Sequence, residues 1–450
     1  MIISFIDDEP EIFPMQYGGK ARTIINLAKK MSNNKEVSEV RILSRSIKDK
    51  RNDFVWEGIH FIKLDGYSSI QQIINEANTS DVLNIHTCSF TFPLINKCRA
   101  ILIYHLHDVI LATADKGSHL DKAMGGNWDA IISPSDFATS VLHNFTKWKN
   151  FYKIIFTIPR GIDSRDFRYI EKAKSFEAIS KINASITKEN YPIIFFPHRV
   201  DANKGEQFLF KLCKNILNQY PSALVLASLD SDIDIKIPNL INLRWVSSGK
   251  LRYYYSISDV VLNFSLLPES FSQVCLESVL CGTPVLAFRF GNLSSFADEL
   301  PAVNSCEPND KDILLEIQKI LVNKPRIVKR VKESQKIIAQ KYNMDKVAEK
   351  YLAIYDALIQ KNKSKYTKLN ENITMFFISP LVAKYNNLIY VSSEDGKLRA
   401  FNLNKDELLI LNYCSEARSL ENIIRKLRVE PRLVIKIIEY FVDNKIIVKV

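Results

Sequence analysis

Glu269 and Glu277 are the residues whose types and spacing most suggest chemistry, two carboxylates with seven residues between them. The first falls in a loop, Pro268-Glu-Ser-Phe-Ser272, and the second lies one turn into an apolar helix. Ser272 is placed to cap that helix, Gly282 to end it in a left-handed conformation, and Pro284 to stop it continuing. Val285-Leu-Ala-Phe288 then reads as a buried strand. A helix N-terminus facing an acid-bearing loop suits an anion, because free backbone N–H groups and the helix dipole converge there. Two carboxylates alone would also fit the acid–base pair of a hydrolase.

The cations nearby narrow the choice. The expected strand Ile193–Phe196 runs into His198-Arg-Val-Asp-Ala-Asn-Lys-Gly205. Arg199 offers a planar fork and Lys204 a compact cation, both suited to the concentrated charge of a leaving diphosphate. A hydrolase accounts for the acids but for neither cation. Near the N-terminus, Gly18 and Gly19 precede a helix and let the backbone approach a ligand closely. They do not complete a Gly-x-Gly-x-x-Gly fingerprint, which counts against a nicotinamide enzyme. His107 and Asp108 follow one expected strand, and His86 follows another, Asp81–Ile85. Strand carboxyl ends are where open α/β sheets bind ligands. A histidine satisfied at a sheet edge is the competing account of each. No Cys or His cluster near His105 and His107 completes four ligands, so zinc is not expected.

Three segments resemble family 4 glycosyltransferases. The first is the Glu269-x7-Glu277 spacing with Phe271 between the acids and the Gly282-Thr-Pro284 exit. The second is the Arg199-to-Gly205 loop, similar to the family's Gly-Arg-Leu-x-x-x-Lys-Gly, with His198 where a glycine is usual. The third is Pro159-Arg-Gly-Ile-Asp163 with Phe167, with Arg160 replacing the common Asn. The resemblance implies a GT-B fold and a retaining enzyme that moves a sugar from a nucleoside diphosphate donor. It implies that Glu269, Ser270 and the backbone at Phe271 and Ser272 hold sugar hydroxyls and phosphate. Glu277 would hydrogen-bond the ribose, Arg199 and Lys204 the diphosphate, and Gly18 and Gly19 would line the donor. His107 would touch the transferred sugar, with Asp108 orienting its imidazole, and His86 and Asp108 would face the acceptor. Departing phosphate would itself help to deprotonate the acceptor. Neither a metal nor a cofactor beyond the nucleotide sugar is implied. Leu229-Asp-Ser-Asp-Ile-Asp234 contains the Asp-x-Asp of the GT-A class but reads as a solvated loop.

The elements that must position these residues alternate short apolar strands with helix-patterned segments, twice over, which argues for two parallel α/β units. The expected organisation is a Rossmann-like acceptor domain over 1–185, a Rossmann-like donor domain over 186–362, a charged linker over 363–375 and a small module over 376–450. A closing helix from Met344 to Gln360 is expected, and the GT-B resemblance implies that it packs back towards the first half. The last module resembles PqqD-like winged-helix domains. Its pattern is a hairpin around Glu394-Asp-Gly396, Phe401-Asn-Leu-Asn404 leading into an apolar helix, Ser419-Leu-Glu-Asn-Ile423, and helices over Leu420–Leu427 and Pro431–Asp443. That resemblance implies leader-peptide recognition by strand addition.

Composition sets the remaining bounds. A chain of 450 residues needs more than one core. Seven scattered cysteines without a Cys-x-x-Cys pair suggest reduced thiols and a cytoplasmic protein. The net charge of +11 comes from dispersed lysines and arginines, read as solvated helix faces with room for peripheral contact with anionic lipid. Nucleic acid is not an expected partner. Two other functions stay open: a transferase for lipid-linked or cell-wall acceptors with a structural tail, and a transferase-like scaffold without turnover.

Overall fold

The computed structural model describes residues 1–7, 19–44, 47, 53–64, 69–86, 100–107, 128–144, 154–198, 202–228, 237–244, 246–360, 375–378, 382–385, 388–392, 398–413, 418–419, 423, 427, 431–443 and 447–449. The first sheet contains β1 (Ile2–Asp7), β2 (Glu39–Ser44), β3 (Asp53–Trp56), β4 (Ile59–Lys63), β5 (Val82–His86), β6 (Ile101–His105), β7 (Ala130–Ser133) and β8 (Ile155–Thr157). Its order is β3-β4-β2-β1-β5-β6-β7-β8, parallel except where β3 runs against β4. The second sheet holds β9 (Ile193–Phe196), β10 (Leu224–Ala227), β11 (Leu240–Asn242), β12 (Val260–Asn263), β13 (Val285–Ala287) and β14 (Val303–Ser305). Its order is β11-β10-β9-β12-β13-β14, parallel throughout. This is the doubly wound α/β architecture that the alternating pattern implies, built twice.

Five strands of these sheets were not expected: β3, β4, β8, β11 and β14. β3 and β4 are joined by Glu57 and Gly58, both at positive φ (48° and 75°), the backbone of a tight hairpin turn. The other three sit at sheet edges and are short, so they carry little periodic signal.

Aspartates at the mouths of strands fix the registers. Asp81 Oδ2 accepts from Ile2 N at 2.7 Å, Asp129 Oδ2 from Leu102 N at 3.0 Å, and Asp259 Oδ2 from Ile193 N at 2.9 Å. The helix Gly19–Ser32 buries Ala21, Ile24, Ile25, Ala28 and Met31 against the first sheet, the spacing of one helical face. The helix Met344–Ile359 packs into the same core through Val347, Tyr351, Leu352, Tyr355 and Leu358, although it follows the second sheet in sequence. The chain therefore crosses between the units twice. The crossings lie side by side, with Ile162 N donating to Tyr342 O at 2.8 Å and Met344 N to Ile162 O at 3.2 Å.

After residue 374, β15 (Met375–Ile378), β19 (Arg418–Ser419) and β20 (Ile447–Lys449) form one small sheet. A second consists of β16 (Val382–Tyr385), β17 (Leu388–Ser392) and β18 (Leu398–Asn402), antiparallel neighbours in that order. Asn404 caps the helix Lys405–Tyr413, its Oδ1 accepting from Asp406 N and Glu407 N at 3.0 Å each. Glu407 Oε2 in turn accepts from Asn404 N at 2.8 Å, completing a capping box. Leu403, Ile410, Ile423, Val434, Ile438 and Phe441 give these elements a core of their own. The linker, the hairpin turn at Glu394–Gly396 and most of Leu420–Leu427 lie outside the described residues.

Candidate active site

Two close backbone approaches bring the first acid and its cation together. After the turn Ala202–Lys204, Gly205 takes a φ of 81°, and a Cβ there would stand 2.4 Å from the Phe264 carbonyl oxygen. Gly291 has a φ of 61°, and its Cβ would stand 2.6 Å from Glu269 N. Side chains at either glycine would push the loops apart. Without them Lys204 Nζ reaches Glu269 Oε1 at 2.8 Å, with the carboxylate side chain 12% exposed. Burial alone would push the Glu269 carboxyl up. The Lys204 charge, His198 and hydrogen bonds from Lys204 and Ser272 outweigh it and hold Glu269 below its usual range.

Ser272 stands at the N-cap position of the helix Gln273–Leu280 but does not cap it. The site spends its side chain instead: Oγ accepts from Asn263 Nδ2 at 2.8 Å, and the hydroxyl bonds Glu269. The helix ends as expected, with Gly282 at a φ of 92°. Glu277, on this helix, is 1% exposed. Its Oε2 accepts from the Tyr255 hydroxyl at 2.8 Å, and its Oε1 pairs with Arg22 of the other unit. Burial, and then the Glu277 charge, raise the Tyr255 phenol well above its ordinary value, so it stays a donor. Phe271 is buried edge-on against Phe296 and Tyr342.

Four residues of the helix Gly19–Ser32 face the second unit at helical spacing. Gly19 lies against Gln273, Arg22 pairs with Glu277, Thr23 Oγ1 accepts from Gln273 Nε2 at 3.1 Å, and Asn26 reaches Asp166 at 3.4 Å. Ser270 Oγ donates to His107 O at 2.6 Å, and Ser135 Oγ donates to Ser270 O at 2.6 Å. The acid loop is thus closed over the carboxyl ends of the first sheet.

At those ends lies a histidine cluster. His86 and His105 stack at 4.0 Å between centroids. His105 Nε2 meets Asn84 Oδ1 at 2.9 Å, the same oxygen that accepts from the Tyr355 hydroxyl at 2.7 Å. Both nitrogens of His107 are engaged, Nδ1 by Arg160 Nη2 at 2.9 Å and Nε2 by His86 Nδ1 at 2.7 Å. Burial, reinforced by Arg160, lowers His107 well below its ordinary value and His105 to about 3; burial, with His105, Lys20 and Arg160, lowers His86 in the same direction. All three are neutral at pH 7. Among the described residues no group of His, Cys, Asp or Glu converges as metal ligands.

The structure therefore gathers Gly19, Lys204, Glu269, Ser270, Ser272, Glu277, His86 and His107 along one cleft. Gly18, Asp108, Arg199 and the Asp-x-Asp segment lie outside the described residues. Arg22, Tyr255, Asn263 and Ser135 were not anticipated. Arg22 had a legible signal, since Arg22, Thr23 and Asn26 are polar positions at helical spacing on an amphipathic helix. Tyr255 and Asn263 had none, because tertiary packing alone brings them to the acids.

Residues 178–344 match the model of the group 1 glycosyl transferases. A glycosyltransferase of Methanocaldococcus jannaschii, MJ1178, itself uncharacterized, is 24% identical over 376 residues, covering 78% of this chain and 97% of its own. Among solved structures, the sucrose-phosphate synthase of Thermosynechococcus elongatus aligns at a TM-score of 0.66 with 16% identity, over 80% of this chain and 99% of its own. Anabaena Alr3699/HepE in complex with UDP-glucose aligns at 0.62 with 14% identity, over 80% of this chain and its full length. The chain is a glycosyltransferase, and its two parallel-sheet units have the GT-B arrangement. Among the described residues no helix is long and apolar enough to cross a membrane.

Proposed function

We propose that the protein transfers a sugar, with retention of anomeric configuration, from a nucleoside diphosphate donor to a hydroxyl acceptor. The observation that carries this reading is the Lys204–Glu269 pair at 2.8 Å, set at the cleft beside the N-terminus of the helix that bears Glu277. Lys204 and that N-terminus supply positive charge where diphosphate charge builds up as the glycosidic bond breaks. Glu269, held ionised, is an acceptor for sugar hydroxyls, and Glu277 is one for the ribose. Among the described residues no side chain stands out as a nucleophile, so in this reading the departing phosphate oxygen takes the acceptor proton on the same face. UDP-glucose in the HepE complex supports a uridine nucleotide as the first donor to try.

The acceptor in this reading is a ribosomally made peptide brought by the carboxyl-terminal module. Leu409, Leu433, Ile435 and Tyr440 are 37–43% exposed on its two described helices, apolar surface of the kind peptides bind.

Nucleotide stabilisation tests the donor half. UDP, ADP and GDP are compared at saturation, and one of them raises the melting temperature by mass action. No response to any of the three removes the donor site from the protein. A chain ending at Lys368 should keep that response, because the module has a separate core.

A further inference from the structure

Arg160 occupies the position where the resembling family carries an asparagine, and its contacts have a consequence for proton positions. A guanidinium only donates. Its Nη2 lies 2.9 Å from His107 Nδ1 and 3.1 Å from His107 O. Nδ1 must therefore be the bare nitrogen of a neutral imidazole, and the ring proton must sit on Nε2. Nε2 is 2.7 Å from His86 Nδ1. The reverse polarity would strip both nitrogens of His107, which no imidazole tolerates near neutral pH. So Nε2–H donates to His86, whose Nδ1 is bare and whose own proton is driven to Nε2. Among the described residues that last nitrogen is buried without a partner, in a residue 2% exposed. His86 also lines a small pocket of about 20 Å³, space for a single water-sized oxygen, walled by Thr23, Ile24, Leu27, Ile158 and Tyr351.

We propose that Arg160 is a positioning residue that fixes the proton order of the His107–His86 pair, so that His86 Nε2–H is presented to an oxygen of the acceptor, water included. The proposal rests on the transferase reading above for what enters the pocket, but not for the proton order. Among the described residues the groups facing the pair include His105 stacked on His86, Tyr351 stacked on His105, Lys20 with its partner Asp7, Arg160, and the Phe5 ring at 5.9 Å. Arg160 and Lys20 disfavour a second proton on either ring, which keeps the order intact as pH falls. An unpaired buried N–H is costly in the free protein. An acceptor oxygen would recover that cost on binding.

Nitrogen-15 histidine spectra of the full chain read the order directly, with His86→Gln and His107→Gln for assignment. In the wild type both rings should show a bare Nδ1 and a protonated Nε2 from pH 5.5 to 8. Arg160→Met should mix the tautomers of His107 and His86, and Arg160→Lys, which still donates, should restore them. A proton on His107 Nδ1 in the wild type, or unchanged spectra in Arg160→Met, overturns the proposal. The acceptor half is read from hydrolysis of UDP-glucose, which should fall about tenfold in His86→Phe while UDP stabilisation is kept. Unchanged hydrolysis overturns that half. Failure of UDP to stabilise the wild type would count against the donor reading and leave the tautomer result standing.

Discussion

Arg22 and Glu277 stand 255 residues apart in sequence and form an ion pair across the cleft, from the first helix of one unit to the acid-bearing helix of the other. Their side chains are 12% and 2% exposed, and Arg22 also lies over the Phe167 ring at 5.1 Å. A ribose that used Glu277 would compete with this guanidinium. Arg22→Ala should lower the melting temperature of the free protein, since breaking a buried pair strands a charge at a cost of about 3–5 kcal/mol. It should also enlarge the stabilisation by UDP, because the ligand no longer displaces Arg22. Scanning calorimetry with and without UDP measures both, and an unaltered UDP increment would refute the competition.

Lys204 touches Glu269 directly, so the two substitutions separate charge from packing. Lys204→Ala removes the cation and leaves Glu269 with burial unopposed by its largest stabiliser, which pushes the carboxyl up. Sugar release from UDP-glucose should drop by about 10²–10³ in turnover. Lys204→Arg should recover part of it. Retained turnover in Lys204→Ala would sink the donor-site assignment.

Much of this site could be read from the chain, and the residues show where reading stops. Glu269, Glu277 and Lys204 sit in short segments whose glycines and strands advertise a loop between buried elements. Ser272 was legible as a helix start, but not as a residue whose hydroxyl is taken by Asn263 and Glu269. Local spacing shows what a side chain can cap; only the fold shows which partner competes for it. The parallel strands were plain because both faces are buried and the runs are continuous. The edge strands β8, β11 and β14 lacked such runs. The return of Met344–Ile359 to the first unit was expected from the GT-B resemblance; the local pattern of the helix does not name its partner.

His198 makes a prediction of its own. The Ser272 hydroxyl is spent on Glu269, so its oxygen takes Asn263 Nδ2, and among the described residues the Asn263 oxygen beside the His198 ring is left buried without a partner. Burial and Lys204 lower His198 to about 4, so the ring is neutral, and among the described residues Nε2 is buried without a partner. In either tautomer that nitrogen can pair with a sugar hydroxyl, which both donates and accepts. His198→Phe should hold or raise the melting temperature of the free protein, yet weaken UDP-glucose about tenfold and UDP hardly at all. Calorimetric titration with the two ligands decides it; equal losses for both would contradict the assignment.

Acid should loosen this protein well before its carboxylates protonate. His86, His105, His107 and His198 all lie below the ordinary histidine value in the fold, His105 at about 3 and His198 at about 4. A histidine with a depressed folded pKa gives stability that is complete above the unfolded value of about 6.5 and lost as pH falls below it, because the unfolded chain takes up the proton first. Each such group contributes a slope of up to about 1.4 kcal/mol per pH unit. His60, raised by Glu39 and Asp53 against its burial, works in the opposite sense and offsets one of them. Urea unfolding at pH 7.5, 6.5 and 5.5 should show little change over the first interval and a steep loss over the second. A flat profile from 7.5 to 5.5 would mean that the cluster is solvated or charged in the folded protein, and the neutral relay from Arg160 to His86 would fall with it.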